Sequence, residues 1–63
     1  MQYVIEFVDG TSITIKDRRE LDVLTSALTT SGYVMTLLAG YVQNNRVTVL
    51  KGAVRYIRAL DEN

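Results

Sequence analysis

Apolar residues alternate with polar ones at the start of the chain: Tyr3, Ile5 and Phe7 stand against Gln2 and Glu6, and Ile13 and Ile15 stand against Ser12 and Thr14. A period of two places each set on one face of a strand, and the intervening Val8–Asp9–Gly10 carries turn chemistry, so the spacing predicts a β-hairpin. A two-residue Asp9–Gly10 turn would set Ile13 opposite Glu6 and Ile5 opposite Thr14, scrambling the faces. A three-residue loop with Gly10 left-handed instead sets Ile5 against Ile13 and Tyr3 against Ile15. That second register is the expected one.

Asp17 followed by Glu20 has the spacing of a capping box and predicts a helix start. Leu21, Leu24 and Leu28, flanked by Val23 and Ala27, form a helical stripe, with Asp22, Thr25, Ser26 and Thr29 mainly on the other side. Gly32 suits the C-terminal cap. On this reading Arg18 and Arg19 lie in the first turn, the unfavourable end of the helix dipole for a cation.

From Tyr33 the pattern turns to strand through Val34, Met35, Leu37 and Leu38, past a bend at Gly40, to Tyr41 and Val42. A tight turn at Asn44–Asn45 would return the chain with Val47 opposite Val42 and Val49 opposite Gly40. It would also set Tyr41 beside Thr48 and Gln43 beside Arg46, giving a polar and aromatic tip. Lys51–Gly52 reads as a turn between adjacent strands. The segment Ala53 to Leu60 fits a short helix by periodicity and a strand by its Tyr, Ile and Val content, and the strand is preferred. The tail Asp61–Glu62–Asn63 reads as frayed.

The predicted fold is therefore small α+β: one antiparallel sheet with one helix, in the order ββαβββ, the last element a strand or short helix, all in a single domain. With 63 residues, no cysteine and no histidine, the chain lacks the disulfides and metal sites that staple many small domains. Val4, Val8, Val34, Leu38 and Val42 lie opposite in parity to Tyr3, Ile5, Phe7 and to Met35 and Leu37, so both sheet faces carry apolar residues. A second copy covering the spare face makes a homo-oligomer the expected state.

Charge refines this picture. The formal net charge is zero, yet the stretch from Val23 to Leu60 contains no carboxylate while it holds Arg46, Lys51, Arg55 and Arg58. Such an asymmetry suggests a localised cationic patch. Arginine forks pair with phosphate and tyrosine rings stack on bases, so Tyr41, Arg46, Lys51, Arg55, Tyr56 and Arg58 are the candidate ligand-binding residues, for a small anionic ligand such as a nucleotide. Tyrosines at strand spacing also serve as packing residues, and arginines often only lie across apolar surface. Long duplex nucleic acid is disfavoured by the neutral total charge.

Catalysis finds little support. The usual general base and thiol nucleophile are missing, and the carboxylates sit at turn and cap positions, so the reading is a protein that is not an enzyme, with no catalytic residues, metal or cofactor. The glycines at 10, 32, 40 and 52 are too dispersed for a phosphate loop. The first residues do not read as a secretory signal and no apolar run is long enough for a membrane span, so a cytoplasmic protein with no membrane partner is expected.

In layout the chain resembles short bacteriophage and prophage proteins. The resemblance lies in the hairpin around Phe7–Val8–Asp9–Gly10–Thr11, the helical start Asp17–Arg18–Arg19–Glu20–Leu21, and the closing Val49 with Val54–Arg55–Tyr56–Ile57. It implies a counter-defence factor in the cytoplasm of a bacterial host: an oligomeric sponge for signalling nucleotides, or an inhibitor or adaptor that binds a host protein. A structural phage component is a third option. The resemblance assigns no individual residue.

Overall fold

The computed structural model describes residues 1–40 and 45–60. Strands β1 (Gln2–Phe7) and β2 (Ser12–Lys16) precede helix α1 (Leu21–Ser31), followed by β3 (Tyr33–Leu38), β4 (Arg46–Leu50), a 3-10 helix (Lys51–Ala53) and β5 (Val54–Ala59). All five strands form one antiparallel sheet in the order β4-β3-β2-β1-β5, and the fold is α+β with its last element a strand.

The first hairpin has the predicted register: Tyr3 pairs with Ile15 and Ile5 with Ile13. The Phe7 amide donates to Thr11 O (2.8 Å) and the Gly10 amide to Phe7 O (3.0 Å), closing the Val8–Asp9–Gly10 loop. Gly10 has φ +91, a conformation that costs a side chain but not glycine. Asp9 fastens the loop by accepting from the Thr11 amide at 2.9 Å and the Thr11 hydroxyl at 2.6 Å.

Helix α1 starts later than the capping box implied. Its N-cap is Glu20, which makes no side-chain cap bond, so Asp17, Arg18 and Arg19 precede the helix. Asp17 is drawn into a tertiary contact described below, an alternative that local spacing does not reveal. The C-terminus agrees with expectation: Gly32 is left-handed and its amide donates to Leu28 O at 2.8 Å. Leu24 and Leu28 are buried and Ala27 packs beside them, whereas Leu21 and Val23 are exposed.

The second hairpin differs from expectation. Val34 pairs with Val49, Thr36 with Val47 and Leu37 with Arg46. Strand β3 ends at Leu38, whose amide donates to Asn45 O at 2.9 Å, so Asn45 already belongs to the ladder. This overturns the Asn44–Asn45 turn and the pairing of Val47 and Val49 with Val42 and Gly40; Tyr41, Val42, Gln43 and Asn44 themselves lie outside the described residues, as does the tail 61–63. Thr48 faces Met35 and Arg46 faces Leu37, in place of the tip formed with Tyr41 and Gln43. A shift of six residues leaves the same side chains on each face, so alternation alone does not choose between the registers; the observed one sets Val34 beside Val49, both buried in the core, a tertiary gain that local turn propensity does not encode.

Lys51–Gly52 does not turn the chain between adjacent strands, because β4 and β5 occupy opposite edges. Four inter-strand spacings in a flat sheet amount to about 19 Å. The four residue steps from Leu50 to Val54 reach at most about 14 Å. The sheet must therefore curl, bringing the Leu50 end of β4 near the Val54 end of β5 across the 3-10 helix, where the Lys51 amide donates to Gly32 O and the Val8 amide to Ala53 O, both at 2.9 Å.

The inner face of this curl holds the core: Tyr3, Ile5, Ile15, Val34 and Val49 pack with Leu24 and Leu28 of α1. Phe7, Ile13, Leu38, Val47, Val54 and Ile57 continue it outward. Val34 and Leu38 thus share the side of Tyr3 and Ile5, while Val4 and Met35 face the other way, so the sheet does carry apolar residues on both faces.

Candidate functional site

On the outer face β3 presents Tyr33, Met35 and Leu37, β4 presents Arg46, Thr48 and Leu50, and β2 contributes Lys16. The pairings Tyr33–Leu50, Met35–Thr48, Leu37–Arg46 and Lys16–Leu37 join them side by side. Tyr33 is 46% exposed, Leu50 60% and Met35 65%, a set of large apolar side chains facing solvent together. Single exposed apolar residues are ordinary, whereas a contiguous group rimmed by polar residues is the usual mark of a contact surface. Lys16 and Arg46 provide that rim. Met35, Thr36, Leu37, Arg46 and Thr48 line a shallow depression of about 390 Å³.

A polar tie behind this surface sets its shape. Among the described residues β2 meets β3 through Ile15–Leu38 and Lys16–Leu37, with the Ala39 amide donating to Thr14 O at 2.9 Å beyond them, so the earlier half of β3 has no β2 partner. Arg19 fills part of the gap by donating to Met35 O at 3.0 Å. It is held by Asp17, which receives Nε at 2.8 Å, Nη2 at 2.7 Å and the Arg19 amide at 3.0 Å. The Thr36 hydroxyl also donates to Asp17 at 2.8 Å. These bonds, led by the Arg19 side chain, hold the Asp17 carboxyl well below its ordinary range despite partial burial, and raise the Arg19 guanidinium in turn. Tyr3 anchors the same segment by donating its hydroxyl to Arg19 O at 2.7 Å.

The residues singled out for ligand binding divide between the two edges. Arg55, Tyr56 and Arg58 lie on β5, Arg46 lies on β4 across the sheet, Lys51 belongs to the 3-10 helix, and Tyr41 lies outside the described residues. The strand alternation expected to separate Arg55 from Tyr56 is broken by a bulge between the pairs Glu6–Tyr56 and Phe7–Val54. Both side chains consequently reach Glu6: Arg55 donates at 3.2 Å and the Tyr56 hydroxyl at 2.9 Å. Arg58 stands opposite Val4. Arg46 and Arg58 thus stand on the outer face at opposite edges of the sheet.

Sequence reasoning missed Tyr33, Met35, Leu50 and Lys16 as a surface. The parity of Met35 and Leu37 against Val34 was a readable signal, but the partner strand was placed six residues out of register along the sheet, and Leu50 was thereby separated from Tyr33. Met1, Lys16, Asp17, Arg18, Arg19 and Leu37 line a second depression of about 580 Å³. A larger one, about 730 Å³, runs along the polar face of α1 from Glu20 to Thr30 and offers threonine hydroxyls and carboxylates but no cation.

Among the described residues no three His, Cys, Asp or Glu side chains gather as metal ligands, and no helix is long and apolar enough to cross a membrane. Comparison of the chain with protein-family models, with curated proteins and with solved structures finds no match.

Proposed function

We propose that this chain is a non-enzymatic binding protein that works as a homo-oligomer and engages a protein partner through the outer face of its sheet. The observation that carries this reading is the solvent-facing group Tyr33, Met35 and Leu50 with Lys16 and Arg46 at its rim. Such a surface suits a partner that offers apolar side chains bordered by carboxylates, because burial supplies the affinity and the cations orient the encounter. In the setting implied by the resemblance to phage-encoded proteins, that partner is a host protein in the bacterial cytoplasm.

Met35→Glu tests it by placing a charge in the middle of the surface without touching the core. The wild-type chain is expected to co-purify with one host protein in fixed stoichiometry, and Met35→Glu to lose it. Equal recovery with both chains, or no stoichiometric partner for either, would discard this reading.

A second reading is capture of a small phosphorylated ligand, such as a signalling nucleotide. It is favoured by Lys16 and Arg18, which line one depression with Arg19 while the nearby carboxylate, Asp17, is already held by Arg19. Calorimetry against cyclic and short oligonucleotides, repeated with Lys16→Ala and with Arg58→Ala, distinguishes this depression from the β5 cations. Absence of heat for every nucleotide removes the ligand.

A further inference from the structure

The edge of β4 has the properties of a self-pairing strand. The bonds Leu38 N to Asn45 O and Lys51 N to Gly32 O bracket β4 in its ladder with β3, both at 2.9 Å. Alternation of antiparallel hydrogen bonding then directs the backbone groups of Val47 and Val49 toward β3 and those of Arg46 and Thr48, with the Leu50 amide, away from it. Among the described residues none of these outward groups has a backbone partner outside the strands and helices. Arg46, Thr48 and Leu50 are exposed, and β4 has β3 as its one neighbour in the sheet, so this edge is left for pairing.

We infer that β4 pairs antiparallel with β4 of a second copy, with the two-fold axis passing through Thr48. This rests on the self-association in the reading above and names its seam. In that register Val47 faces Val49 of the partner on the inner side, so the partly buried Val47 gains an apolar neighbour. On the outer side Thr48 meets Thr48, and Arg46 lies beside Leu50 of the partner. The single charge of the strand is thus kept at the ends of the seam, where the two Arg46 side chains are farthest apart. The seam joins the Tyr33–Leu50 corner of one copy to the Leu37–Arg46 corner of the other, making one continuous outer surface from two small ones.

A second copy fits this edge better than an unrelated strand because the segment is its own complement under reversal: a neutral centre, matching valines, and no like charges opposed. The other edge lacks this property. Strand β5 carries Arg55 and Arg58 and is kinked by its bulge.

The decisive experiment uses charge at the two-fold position. Thr48→Lys and Thr48→Glu each place like charges opposite one another across the axis, and each is expected to weaken the dimer at least about tenfold in native mass spectrometry and sedimentation. Mixing the two variants should restore a 1:1 heterodimer. Thr48→Pro provides a neutral check, since it deletes an amide that points away from β3 and should give a folded monomer by circular dichroism. A wild-type chain that stays monomeric at every attainable concentration would defeat self-association itself. A wild-type dimer that survives all three substitutions but dissociates with Met35→Glu would defeat the β4 seam and leave outer-face association standing. Failure of the mixed variants to form the heterodimer would defeat the Thr48 axis.

Discussion

Strands β4 and β5 both end the sheet, and they meet solvent in different ways. At β5 a bulge turns Arg55 and Tyr56 together onto Glu6, and Arg58 follows two residues later, so the outer face there is polar and cationic. At β4 the neighbouring outward side chains are Tyr33, Met35 and Leu50, and the strand has one charge, at its first residue. Proteins blunt exposed edges with charges, bulges and short strands. Here one edge has two of these devices and the other has chiefly its shortness. An edge left open beside an apolar surface is a place where association is cheap, while a blunted edge directs it elsewhere.

The comparison depends first on a shared core. Ile5 is fully buried in β1 and pairs with Ile57 of β5 and Ile13 of β2. Ile5→Ala is expected to cost about 2–5 kcal/mol. Since a core of this size supplies only about 3–5 kcal/mol, thermal melts should show a largely unfolded chain, with both edges lost together. Retention of one edge's chemical shifts in that variant would mean that the two halves fold independently.

Asp17→Asn acts on the β3 and β4 side alone. It removes the charge that holds Arg19 and Thr36, and is expected to cost about 1–3 kcal/mol. Because the native Asp17 carboxyl lies below its unfolded value near 3.9, the stability it adds is fully present above about pH 4 and is lost as the pH falls further, toward the folded value. Denaturant titrations between neutral and strongly acidic pH should therefore show a steeper acid loss for wild type than for Asp17→Asn. Parallel slopes would exclude this contact as a source of stability.

Gly10→Ala strains the loop that supports the start of β5 through the Val8–Ala53 bond. About 1 kcal/mol of destabilisation is expected, read as a lower melting temperature with the outer surface of β3 and β4 unchanged. The smallest effect belongs to Glu6→Gln, which breaks a largely exposed ion pair with Arg55 and should change stability by less than about 1 kcal/mol. If that substitution instead makes β5 self-associate, the blunting of this edge is electrostatic rather than due to the bulge.

Legibility in the sequence varied with the range of the interactions involved. The first hairpin was readable to the residue because its strands are neighbours in sequence and one glycine satisfies the turn. The candidate site was only partly readable. Met35 and Leu37 stood out by parity, but the partnership of Tyr33 with Leu50 depends on a register set by the buried valines. Arg55 and Tyr56 looked like a ligand-binding pair, and their shared contact with Glu6 spans about fifty positions of chain. No local pattern encodes it.

Alternation of apolar and polar residues, with glycines at the hairpin loop and helix end, determined by itself the strand-strand-helix-strand opening, the α+β class and the presence of apolar residues on both faces, because each depends on the conformational preference of a few consecutive residues. Tertiary structure alone decided that Asp17 ties strands together rather than capping a helix, that β4 and β5 lie at opposite edges of a curled sheet, and which cations share a face. Those outcomes follow from burial and pairing between distant segments, where the free energy of closing the core outweighs any local preference.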